Sequence, residues 1–185
     1  MADTVNKAVI SGDDNIIDLV NTRVIGNRLT VDYRHDINCV RTSHKTVIEL
    51  HYTNLKEILI DGSGDVYGID TLFSDRLDVK INGSGNVSLI AKVENLFVEV
   101  DGSGDVAIDG KGAIGYVLID GSGNVDMLDF EIESLGIEVS GSGSTRAYVQ
   151  DELQVWINGS GDVLYRGEAM LVIEERNGSG DVRKI

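Results

Sequence analysis

The chain has 185 residues, within reach of a single domain, and its 42% hydrophobic content is enough to bury a core and excludes a disordered chain. Its 31 acidic against 16 basic residues leave a formal charge of -15, a field that repels phosphate backbones and anionic lipid headgroups and makes nucleic acid and membrane surfaces poor partners. Proline is absent, glycine reaches 22, and the single cysteine, Cys39, excludes an intramolecular disulfide.

The first residues, Met1-Ala2-Asp3-Thr4-Val5-Asn6-Lys7, lack the charged, apolar and small succession of a secretion signal, and no later stretch approaches the ~20 apolar residues of a membrane span. Cytoplasmic synthesis and a signal removed from the chain both remain open. Over residues 1–54 the pattern is irregular. Val9-Ile10-Ser11-Gly12 reads as a worn turn, Val24 to Val31 as a hairpin around Gly26-Asn27, and Thr46 to Leu50 as an alternating strand. These are expected to form degenerate strands or coils that cap the rest of one continuous domain. His35, His44 and His51 fall in this region without metal-ligand spacing. With Cys39 they are expected to be solvated or packed rather than zinc ligands or nucleophiles.

From residue 55 to residue 185 the chain repeats. Gly-Ser-Gly occurs seven times, starting at Gly62, Gly83, Gly102, Gly121, Gly141, Gly159 and Gly178, with spacings of 21, 19, 19, 20, 18 and 19. Aliphatic residues stand six, four and two places before the first glycine, as in Leu77, Val79 and Ile81, and four places after it, as in Val87. Apolar residues at every second position, mostly β-branched, mark strands with one buried face. No segment has helical spacing, so the chain returns by more strand. Nineteen extended residues at ~3.3 Å each trace one coil, and successive coils stack ~4.8 Å apart. The sequence therefore predicts an all-β fold, a right-handed parallel β-solenoid with irregular terminal caps. At the far end, Leu171 to Arg176 breaks the repeat, placing Glu174 and Arg176 where Val and Ile stand elsewhere, which also reads as a cap.

The motifs Asp61-Gly62-Ser63-Gly64-Asp65-Val66, Asn82-Gly83-Ser84-Gly85-Asn86-Val87, Asp101 to Val106, Asp120 to Val125 and Asn158 to Val163 carry a family resemblance. The chain resembles the auto-transporter adhesin, head GIN domain family, in which degenerate amino-terminal strands lead into serial glycine-serine turns. The resemblance covers nearly the whole chain and implies a β-solenoid of the cell envelope or exterior, with an adhesin-like role and no catalytic residues. The fifth turn departs from the motif, with Ser140, Ser144 and Thr145 in place of Asp/Asn and Val.

Two columns flank the glycine corner. One runs Asp61, Asn82, Asp101, Asp120, Ser140, Asn158, Asn177 and the other Asp65, Asn86, Asp105, Asn124, Ser144, Asp162, Asp181. Turn capping is the expected use of these side chains. Calcium is the alternative ligand, with Asp61, Asp65, Asp101, Asp105, Asp162 and Asp181 as the candidates. On the face that should be wet, Leu59, Phe97, Tyr116, Leu118 and Trp156 are apolar, which marks a candidate interface. These readings predict a non-catalytic, adhesin-like surface module that self-associates as a homo-oligomer, a trimer being one form. The alternatives are a virion capsid decoration or fibre protein, and a solenoid that binds calcium or carbohydrate. Possible partners are accordingly a surface glycan or a capsid or envelope protein.

Overall fold

The computed structural model describes residues 6–34 and 44–185, with the backbone alone at 173 and 174. It falls into two compact units, Met1–Thr53 and Asn54–Ile185. His35 and Cys39 lie outside the described residues. No helix among the described residues is long and apolar enough to cross a membrane.

The amino-terminal unit contains β1 (Lys7–Ser11), α1 (Asp14–Ile17), β2 (Val20–Ile25), β3 (Arg28–Tyr33) and β4 (Val47–His51). β2 and β3 pair antiparallel as the predicted hairpin, and Gly26 supplies the positive φ of +61° that the tight turn needs. β1 pairs antiparallel with β4, from Lys7 opposite His51 to Ser11 opposite Val47. Val9-Ile10-Ser11 is therefore strand leading to the bend at Gly12, and this unit contains two antiparallel strand pairs.

The second unit is the predicted parallel β-solenoid. β5 (Glu57–Gly62), β6 (Val66–Tyr67), β7 (Leu72–Gly83), β8 (Val87–Gly102), β9 (Val106–Gly121), β10 (Val125–Gly141), β11 (Thr145–Gly159), β12 (Val163–Arg166), β13 (Met170–Gly178) and β14 (Val182–Lys184) form one sheet with every pairing parallel. The first glycines of the seven corners sit directly over one another, from Gly62 opposite Gly83 through to Gly159 opposite Gly178. The serine amide of each corner after the first donates to the first glycine's carbonyl in the coil before it, as Ser103 does to Gly83 at 2.8 Å.

Period two puts Leu77, Val79 and Ile81 inside, over Leu96, Val98 and Val100 in the next coil, all buried. Each such side chain contributes about 1.5 to 3 kcal/mol of burial before entropy, which only a stacked neighbour can supply. The core continues into the arc after the corner through Leu89, Ile108, Met127, Ala147 and Tyr165. Variation in coil length is absorbed away from the Gly-Ser-Gly corners. β10 has 17 residues against 16 in β9 and 15 in β11, and its register shifts lie between Asp126 and Phe130 and between Met127 and Ser134.

The break at the far end is a single bulge. Ile173 pairs with Val155 and Glu175 with Trp156, so Glu174 is the extra residue and does not occupy a valine place. Arg176 does stand opposite Ile157, and its Nη1 lies 3.1 Å from Asp181 Oδ1. A bulge and charged residues on a last strand discourage edge-to-edge pairing.

Thr145 occupies a column otherwise filled by Val125 and Val163, is fully buried, and its hydroxyl has no hydrogen-bond partner. An orphaned buried hydroxyl costs about 1 to 3 kcal/mol. Thr145→Val is expected to raise stability by about 1 kcal/mol, read as a higher denaturation midpoint at unchanged slope.

Candidate binding face

Beside the glycine corner, the second polar column forms an unbroken hydrogen-bond ladder. Asp65 Oδ1 accepts from the Asn86 amide at 3.1 Å, Asn86 Oδ1 from Asp105 at 3.0 Å, and Asp105 Oδ1 from Asn124 at 2.9 Å. Asn124 Oδ1 then accepts from the Ser144 amide, Ser144 Oγ from Asp162, and Asp162 Oδ1 from Asp181. Carboxylate, amide and hydroxyl all provide the one oxygen each link needs, which explains why Asp, Asn and Ser interchange. Ser144, which looks like a lost ligand in the sequence, does the same work. Among the described residues no group of three or more His, Cys, Asp or Glu is placed to hold a metal ion. Asp61 and Asp101, in the first column, stand exposed. Asp105→Asn is expected to leave stability nearly unchanged, whereas Asp105→Ala orphans the Asn124 amide and costs about 1 kcal/mol in chemical denaturation.

The predicted apolar side chains share the outer face of the sheet that leads into the corner. Phe97 pairs with Tyr116, and their rings stack at 6.2 Å and 6°. Lys80 Nζ lies 5.1 Å from the Phe97 ring and 2.8 Å from Glu99 Oε2, and the Glu99 carboxylate raises the lysine's pKa. Tyr116 pairs with Gly136 in the next coil, and a Cβ there would lie 2.7 Å from Tyr116 Cδ2, so the ring rests over bare backbone. Beyond the glycine, Trp156 approaches Tyr116 at 6.5 Å and 44°. Phe97, Tyr116, Leu118 and Trp156 are half-buried, while Leu59 is 47% exposed. Ile114, which the sequence reading passed over, is 60% exposed on the same face. It stands two places before Tyr116, so outward alternation alone could have found it.

Tyr116 donates to Glu138 Oε2 at 2.8 Å. Burial, with the Glu138 carboxylate as hydrogen-bond acceptor and charge, lifts the phenol from 10.0 to about 12. A raised folded value means that the protonated phenol's stabilisation is complete below about pH 10 and is lost as pH climbs towards 12. Tyr116→Phe is expected to remove that part of the alkaline loss. Ultraviolet titration should show one phenol ionising late in the wild-type protein and not in the variant.

His44 Nδ1 lies 2.6 Å from Asp13 Oδ1 and His51 Nε2 lies 3.1 Å from Glu49 Oε1, so each of these histidines has a carboxylate neighbour.

Stacked glycine corners, a continuous aliphatic spine and an aromatic outer strip define a repeat protein of the β-solenoid class. The family model described as "putative auto-transporter adhesin, head GIN domain" matches residues 1–169, and the chain belongs to that family. Among solved structures, a putative adhesin from Bacteroides fragilis superimposes with a TM-score of 0.91 at 24% identity, covering 100% of this chain and 85% of that one. A putative lipid binding protein from Parabacteroides distasonis gives 0.78 at 22%, covering 100% and 86%. A putative adhesin from Parabacteroides merdae gives 0.73 at 20%, covering 100% and 85%. At these identities the likeness shows the fold. No curated protein matches the chain.

Proposed function

We propose that this chain is a non-catalytic adhesive module of the cell surface or exterior, and that it adheres by self-association through the aromatic strip. The observation that carries the reading is the outward row of Ile114, Tyr116 and Leu118 on one strand, beside Phe97 on its neighbour, on a continuous parallel sheet. An outward-facing apolar row of this kind is typical of an interaction surface. The family's adhesin description and the adhesin-named structural neighbours support the adhesive role. The non-catalytic reading is supported by the corner carboxylates Asp65, Asp105 and Asp162, each of which gives an oxygen to a backbone amide of the next coil.

Beads coated with the chain are expected to cluster, and the native mass to be a multiple of 20.0 kDa. The Ile114→Lys, Leu118→Lys double variant, which sets an ammonium at position 118 between Glu99 and Glu138, is expected to keep the melting temperature, return the mass to one chain and disperse the beads. Wild-type beads that stay dispersed, with a single-chain mass, would overturn self-association.

A further inference from the structure

Two coils beyond the stacked Phe97 and Tyr116 rings, the same face holds a slot of about 190 Å³. One wall is the column Glu138, Trp156, Glu175, in which parallel pairing sets the indole between two carboxylates. The other wall is Ser140, Asn158 and Asn177. Val139 and Ile157 turn their side chains into the core, so the floor they present is backbone.

One oxygen of each carboxylate is held, that of Glu138 from the neighbouring aromatic strip and that of Glu175 from Asn177 on the facing wall. Glu138 Oε2 accepts from the Tyr116 hydroxyl at 2.8 Å, and Glu175 Oε1 from Asn177 Nδ2 at 2.6 Å. The second oxygen of each has no hydrogen-bond or ion-pair partner among the described residues. This sets them apart from Glu99, Glu131 and Asp126, which pair with Lys80, Lys111 and Arg146.

We propose that this slot receives an arginine side chain projecting from a basic protein segment. An indole flanked by two carboxylates offers cation–π attraction and two anionic acceptors at once. A planar guanidinium can lie against the ring while its N–H groups reach carboxylates on coils ~4.8 Å to either side, which a lysine ammonium cannot match. The volume is below the roughly 300 Å³ of a drug-sized pocket and suits the end of one side chain. The formal charge of -15 draws a basic partner from a distance. The slot needs only one copy of the chain. Trp156 lies beside Tyr116, however, and self-association through the aromatic strip would cover it, so the titration is run at a concentration where the native mass is that of a single chain.

Trp156 is the chain's one tryptophan, so its emission reports on the slot directly. Titrating the full chain with tetra-arginine at physiological salt is expected to give a saturable change in emission. The Glu138→Gln, Glu175→Gln variant should weaken it about tenfold or more. The Asp70→Asn, Asp109→Asn variant, which removes equal charge away from the slot and its columns, should leave it unchanged, and tetra-lysine should bind several-fold more weakly. Glu175→Gln alone, on the last coil, set against Asp109→Asn alone, gives a charge-matched comparison if the double variant is unstable. Silent emission, equal weakening in both charge-matched variants, or an equal response to tetra-lysine would each overturn the proposal. Native mass measured on the same samples scores self-association separately.

Discussion

Gly121→Ala is expected to lower the solenoid's stability by about 3 kcal/mol or more, the sum of two penalties that other corner glycines separate. Gly121 has φ +134°, and a Cβ there would overlap the carbonyl oxygen of Gly102 in the coil before it. Gly123 lacks the positive φ, but its Cβ would meet the Gly104 carbonyl oxygen and Val100 Cγ1. Gly62, in the first corner, has φ +129° with nothing within 4 Å, and Gly64 has neither constraint. Alanine should therefore cost little at Gly64, about 1 to 2 kcal/mol at Gly62, about 2 to 3 at Gly123, and most at Gly121. Guanidinium unfolding of the four variants tests the order. Equal losses at Gly64 and Gly123 would show that crowding between stacked coils is not what selects glycine.

The strands before each corner are legible in the sequence because their signal is both local and recurrent. Period two names the inward side chain, and seven copies fix the register. The Gly26-Asn27 hairpin is legible for the same local reason. The β1 and β4 pairing is not, because it joins Lys7 to His51 with no repeat to announce it. The arc after the corner was also hidden. Its inward column runs Leu89, Ile108, Met127, Ala147 and Tyr165, too varied in size to read as one position, because each member is chosen to fit its neighbour above and below. On the outer face, alternation finds Phe97, Tyr116 and Trp156. It does not reveal that Gly136 is bare so that Tyr116 can lie across it, nor that parallel pairing puts Trp156 between Glu138 and Glu175. Those are relations between coils some twenty residues apart, which three-dimensional stacking creates.

Phe130→Ala is expected to cost about 3 to 5 kcal/mol, the upper range for a core truncation, because the space beneath the ring has no side chain able to relax into it. Phe130 is the largest fully buried side chain among the described residues. Coil β9 carries Gly112 where β8 has the buried Val93, and a Cβ on Gly112 would stand 2.9 Å from both Cε1 and Cζ of Phe130. The ring of one coil therefore fills the vacancy of another, and Ile132 and Leu135 do the same above Gly115. Gly112→Val alone overpacks that space and should cost about 1 to 3 kcal/mol. Joined with Phe130→Ala it restores volume where Val93 already stands one coil away. The double variant should then be more stable than the sum of the single losses allows, by at least about 1 kcal/mol in a double-mutant cycle. If the two losses simply add, the exchange of bulk between β9 and β10 is not what holds this part of the core.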